Sequence, residues 1–192
     1  VMGRTYARVG NAAYARSNRS YGLTTLRTRH VRLPAKRVAQ IRFAGKSGRV
    51  HVLHIDDARL VGLIRRCHDL PGKMLFQYLD QHPELNPKQE LRPVDSGDIN
   101  AYLRQATGDA FSAKDFRTWG ATLTALMELA RLPLPADASA THCTAMQNQV
   151  VASVAATLGN TPAVCRASYI DPCVFDAWRA GRLEPLRALR GI

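Results

Sequence analysis

Five residues spread along the chain carry the groups that an attack on phosphorus needs. They are Arg8 in YARVGN, Lys46 in AGKSG, Arg117 in KDFRTWG, Asn160 in LGNTP and Tyr169 in RASYIDP. A phenol oxygen can displace an alkoxide from a phosphodiester if the charge on the two non-bridging oxygens is stabilised. Two guanidiniums do so with forked donors, and an amide adds a third contact. The departing 5′ oxygen needs a proton, which a lysine of depressed pKa can give. The phenol, whose ordinary pKa is about 10, gains from nearby cations that favour its ionised form. Taken singly, each residue has a plainer reading. Lys46 at a hairpin tip is a solvated cation, Arg117 beside Phe116 and Trp119 is a buried ion-pair partner, and Tyr169 packs its ring on a core.

Several elements must position these groups. TPAVCRASY (161–169) puts Pro162 in a first helical turn. A short helix therefore carries Tyr169 nine residues beyond Asn160, and amide and phenol can meet one phosphate from its two ends. Upstream, helical spacing predicts helices over 57–68, 96–108 with Ser96 as N-cap, 112–132, and 139–159 between Ser139 and Gly159, with a last short helix over 172–181. Before residue 56 the pattern changes. GLTTLRTRHVRL (22–33), KRVAQIRF (36–43) and GRVHVLHI (48–55) read as three antiparallel strands, divided by Pro34-Ala35 and by AGKSG. Residues 8–22 are turn-rich with a short helix around 11–16, and 81–95, with three prolines, reads as a loop. The fold class is α+β, a small three-stranded antiparallel sheet followed by a mainly helical bundle. One domain over 1–192 is expected, β-rich to about 56 and helical from about 57.

Composition narrows the partners. Lys and Arg number 27 against 15 Asp and Glu, a formal charge of +12. The excess is mostly arginine and spread along the chain, which suits a surface laid along a polyanion, most simply nucleic acid. With 46% hydrophobic and 22% charged residues the chain is globular. No apolar run approaches the roughly 18–20 residues that span a bilayer, so no membrane partner is expected. The four cysteines form no CxxC pair and read as reduced, mostly buried thiols in a cytosolic protein without structural zinc. Cys165 reads as packing. Gln147, Asn148 and Gln149 read as a solvated helix face.

The chain resembles the catalytic domain of type IB DNA topoisomerases of the bacterial and poxvirus kind. The matching stretches are RVGNAAYARSNRSYGLTTLRTRHV, FAGKSGRVH, RRCHDLPGKMLFQYLD, DINAYLRQATG, AKDFRTWGATLTAL and VAATLGNTPAVCRASYIDP, roughly residues 4–183. The resemblance implies the shared fold of tyrosine recombinases and type IB topoisomerases. It also implies relaxation of supercoiled double-stranded DNA through a 3′-phosphotyrosyl intermediate, with no cofactor, ATP or metal. Tyr169 would be the nucleophile, Arg8 and Arg117 would stabilise the transition state, Lys46 would be the general acid, and Asn160 would stand where many relatives have His.

Two departures from the family pattern stand out. The small N-terminal domain that closes over the far face of DNA is expected to be absent, which leaves Arg8 near the start of the chain and weakly anchored. Asp171 follows the nucleophile closely where His is expected, and its charge would tend to raise the phenol pKa. A tyrosine recombinase is the nearest alternative, but it would place His where Lys114 stands. A non-catalytic duplex-binding module is the other. A cytoplasmic, nucleoid-associated monomer is expected, since no heptad seam or long edge strand stands out.

Overall fold

The computed structural model describes residues 1–79, 88, 90–108, 111–134 and 139–188. They fall into two compact units, Val1–Ala113 and Lys114–Ile192.

The first unit opens with two short helices, α1 (Met2–Thr5) and α2 (Ala12–Asn18), the second capped by the Asn11 side chain on the Tyr14 amide. A three-stranded antiparallel sheet follows in the order β1 (Val31–Ala35), β2 (Val38–Ala44), β3 (Val50–Ile55). Its register pairs Val31 with Ile41, Gln40 with His54 and Ala44 with Val50. Alternation along β2 sends Ala39, Ile41 and Phe43 inward. They join Leu26, Val61, Ile64 and Leu75 in one core, with Val61 and Ile64 supplied by α3 (Ala58–His68). Each large apolar side chain so buried gives about 1.5–3 kcal/mol. A two-stranded ribbon pairs β4 (Gln77–Leu79) with β5 (Leu91–Pro93), and α4 (Ser96–Thr107) follows.

Four sequence expectations change here. Residues 22–30 are two 3₁₀ turns, Leu23–Thr25 and Thr28–His30, where a strand was expected. Their side chains take the local backbone groups. Thr25 Oγ1 bonds both the amide and the carbonyl of Gly22, and His30 Nδ1 accepts from the Arg27 amide at 3.1 Å. Pro34 and Ala35 lie inside β1, not in its turn, and the register slips between Arg32 and Ala35, as an edge strand holding a proline allows. The 81–95 loop includes strand β5, while residues 80–87 and 89 lie outside the described residues. Asp95, not Ser96, caps α4, in a reciprocal pair with Asp98.

The second unit is helical. Its helices are α5 (Ala113–Arg131), whose first residue closes the first unit, α6 (Ala140–Leu158), α7 (Pro162–Ser168) and α8 (Cys173–Arg179). A 3₁₀ turn over Glu184–Ala188 ends the described chain. Ser139 caps α6, and Gly159 closes it in a left-handed conformation. Thr161 caps α7, with Pro162 in the first turn. Buried Val150, Val151, Val154 and Leu158 of α6 alternate at helical spacing with exposed polar positions. Trp178 is 2% exposed and donates Nε1–H to the Leu132 carbonyl at 3.2 Å, whereas Trp119 on α5 is 70% exposed. Among the described residues no helix is long and apolar enough to cross a membrane.

Candidate active site

In the first unit Arg8 and Lys46 line one cavity of about 290 Å³, together with Gly10, Asn11, Tyr14, Ser20 and Tyr21. A short crossbar, residues 21–23, running into the first 3₁₀ turn, connects the backbone segments that carry the two cations. On one side the Leu23 amide donates to the Arg8 carbonyl at 2.8 Å and the Thr24 amide to Val9 at 2.7 Å. On the other, the Tyr21 amide donates to Ala44, two residues before Lys46, at 2.7 Å. Gly22 makes the close approach possible, since a Cβ there would sit 2.5 Å from the Gly10 nitrogen and 2.6 Å from the Arg8 oxygen. Gly10 answers with φ +102°, a left-handed value. Arg8 is therefore held by its backbone despite its place near residue 1, which corrects the expectation of weak anchoring.

The Lys46 hairpin is narrowed at its neck. The Gly45 amide donates to Arg49 at 2.7 Å, and a Cβ at Gly45 would meet the His51 ring at 2.5 Å. That ring stacks on Phe43, with centroids 5.3 Å apart. Lys46 itself is exposed at the tip.

Tyr21, which the sequence reading did not single out, is braced on several sides. Arg27 lies 5.7 Å from its ring centroid, Arg29 Nη2 donates to its hydroxyl at 3.3 Å, and His30 meets it edge-on at 4.6 Å. Burial, then the charges of Arg29 and Arg27, hold the His30 pKa below its ordinary value. A neutral ring suits an Nδ1 that accepts from a backbone amide. The signal for this cluster in the sequence is the interleaving of tyrosine and arginine through residues 14–30.

In the second unit Arg117, Asn160 and Tyr169 are tied to the end of α6. Arg117 is 4% exposed, and its guanidinium lies 5.3 Å from the Tyr169 ring centroid. Its Nη2 donates at 2.9 Å to the carbonyl of Leu158, the last residue of α6. A cation there satisfies a helix-end carbonyl and meets the negative end of the helix dipole. Asn160, 8% exposed, comes two residues later, its backbone N–H donating to the Ala155 carbonyl at 2.9 Å.

Tyr169 is half-buried and ends α7. Thr122 fixes it from α5. Its hydroxyl donates to the Tyr169 carbonyl at 3.2 Å and accepts from the Asp171 amide at 3.1 Å, spanning the Tyr169–Asp171 segment with one oxygen. Sequence reasoning missed Thr122. Its only trace there is its place five residues past Arg117 on the same helix.

Asp171 is exposed and turns its carboxylate to the Cys173 amide at 2.9 Å, a bond that holds its pKa below the usual carboxylate value. Cys165 is fully buried, and burial pushes its thiol pKa up against the opposing charge of Arg117, as a packing role requires. The expectation of mostly buried thiols is corrected for the rest. All four cysteines are free, but Cys67 and Cys143 are half-buried and Cys173 is exposed.

The second unit thus holds an arginine against a tyrosine, and the first holds two cations around one cavity. The sequence matches the family model for the catalytic core of eukaryotic DNA topoisomerase I over residues 1–172, and the chain belongs to that family, the type IB topoisomerases. The DNA topoisomerase 1B of Acanthamoeba polyphaga mimivirus is 35% identical over 168 residues, which cover 85% of this chain and 48% of the viral protein. The chain thus spans about half the length of that curated relative.

Proposed function

We propose that residues 1–192 form the catalytic domain of a type IB DNA topoisomerase that relaxes supercoiled duplex DNA without ATP or metal. The Tyr169 oxygen, its proton released to water, attacks a backbone phosphorus as the phenolate. An O–P bond forms to the tyrosine as the bond to the 5′ oxygen breaks, and Lys46 gives that oxygen its proton. Arg8, Arg117 and Asn160 hold the non-bridging oxygens as their charge develops. The free 5′ end rotates, and attack by its hydroxyl on the phosphotyrosine restores the strand. One copy carries all five residues, so a monomer suffices. The observation that carries this reading is the Arg117 guanidinium lying against the Tyr169 ring at the end of α6 that leads into Asn160.

The test is relaxation of supercoiled plasmid in EDTA without ATP, with Tyr169→Phe alongside. Relaxation by the parent, a covalent adduct through Tyr169, and loss of both in the variant with duplex binding retained are the expected results. A second reading draws on the chain's span of half its viral relative. Residues 1–192 would then bind duplex and cut it weakly, and both proteins would bind alike with little relaxation by either.

A further inference from the structure

Arg166 stands three residues before Tyr169 and has no part in the reaction above. Its Nη2 donates to Asn148 Oδ1 of α6 at 3.0 Å, and its guanidinium lies 4.7 Å from the ring centroid of Phe175 on α8. Arg179, one turn beyond Phe175 on α8, donates from Nη2 to Gln147 Oε1 at 3.1 Å. Two guanidiniums on adjoining helices are therefore each oriented by an amide of α6. An amide oxygen aims an arginine without neutralising it. Among the described residues neither arginine makes an ion pair with a carboxylate.

Gln147 shows that the arrangement is held against a cost. The residue is 2% exposed, and its Nε2 meets no acceptor among the described residues. An apolar side chain would serve a helix core better there, because a buried amide with one end unused is destabilising. The end that is used steers Arg179. Gln147 and Asn148 each orient an arginine; the reading as a solvated face is corrected for buried Gln147 alone, since Asn148 and Gln149 are exposed. Arg166 lies over Phe175, and residues four apart on a helix stand about 5–6 Å from each other at their Cβ atoms. The residues that orient the two cations adjoin on α6, and Phe175 beneath Arg166 is one turn from Arg179, a placement that suits neighbouring phosphates along one strand of a duplex.

We infer that Arg166 and Arg179 form a second phosphate-binding ledge, separate from the cleaved phosphodiester, that grips the backbone of duplex DNA. The inference rests on the proposed duplex substrate. It predicts contacts without base preference, because guanidinium to phosphate carries no sequence information.

The test is the slope of log K against log salt for binding of a blunt duplex, in a Tyr169→Phe background so that covalent capture does not enter. Arg166→Gln and Arg179→Gln should each flatten the slope by about 1, and the double variant by about 2. Asn148→Asp keeps Arg166 in place but pairs it with a carboxylate. It should flatten the slope by a similar amount, and it answers the objection that losing the arginine disturbs α7. A double variant and an Asn148→Asp variant with the parent slope would overturn the ledge while leaving the duplex reading intact. A parent protein that shows no salt-dependent duplex binding would overturn the duplex reading itself, and the ledge with it.

Discussion

The two units hold their candidate residues by different physical means. In Val1–Ala113 the backbone does the positioning. The 21–23 crossbar bonds to Arg8 on one side and to the root of the Lys46 hairpin on the other, and Gly22 and Gly10 permit the contact. The cations themselves are half-buried or exposed. In Lys114–Ile192 side chains do the positioning. Arg117 is buried on the Leu158 carbonyl, and one threonine hydroxyl fixes the backbone around Tyr169. A backbone-built half should keep its stability through changes at cavity-lining side chains and lose it when Cβ atoms are added. A side-chain-built half should fail when single polar atoms are removed.

The sharpest break in this contrast is Gly22→Ala. The new Cβ would face backbone atoms at 2.5–2.6 Å, which cannot move aside as a side-chain end can. A loss of about 3 kcal/mol is expected in urea unfolding, at the upper end of ordinary overpacking. Gly62→Ala in α3, with nothing within 4 Å of the new Cβ, should instead stabilise by about 0.5–1 kcal/mol. Equal effects of the two changes would end the claim that the crossbar depends on its glycine.

Thr122→Val keeps the shape and removes the bridging oxygen. Stability should fall by about 1–2 kcal/mol, and adduct formation should slow with duplex affinity unchanged, while Thr122→Ser restores both. Unchanged adduct kinetics in the valine variant would show that Tyr169 needs no clamp from α5.

The smallest effect is one of pH. His30 has its pKa lowered in the folded protein, so the unfolded chain binds the proton more readily. Its contribution is complete above the ordinary histidine value of about 6.5 and is lost as pH falls from there through the folded value. Denaturation midpoints of the parent should fall over that window more steeply than those of His30→Gln. Parallel curves would remove His30 from the account.

Much of the architecture is legible in the sequence because it rests on local pattern. The alternation of Ala39, Ile41 and Phe43 sets the sheet face, and Ser139, Gly159, Thr161 and Pro162 mark helix ends by their own side-chain chemistry. The 3₁₀ turns over Leu23–Thr25 and Thr28–His30 escape that reading. Threonine and histidine look like strand residues until their side chains are seen bonding nearby backbone. Strand β5 escapes it because three residues ending in proline carry no period of their own. The five candidate residues are legible by type and by family resemblance. Thr122, Tyr21 and the anchoring role of Gln147 are tertiary facts, set by what lies across a helix interface or a turn.

The two tryptophans turn the division into an optical handle. Both belong to the second unit, one sealed at 2% exposure and one open at 70%. Tryptophan emission therefore watches Lys114–Ile192 alone. An aqueous quencher such as iodide should extinguish Trp119 and leave the blue-shifted signal of Trp178. That residual signal shifts to the red when the α8 indole, bonded to the Leu132 carbonyl, is exposed to water. Followed beside far-ultraviolet dichroism, which sees the sheet as well, it gives a label-free measure of whether the two units melt together or in turn.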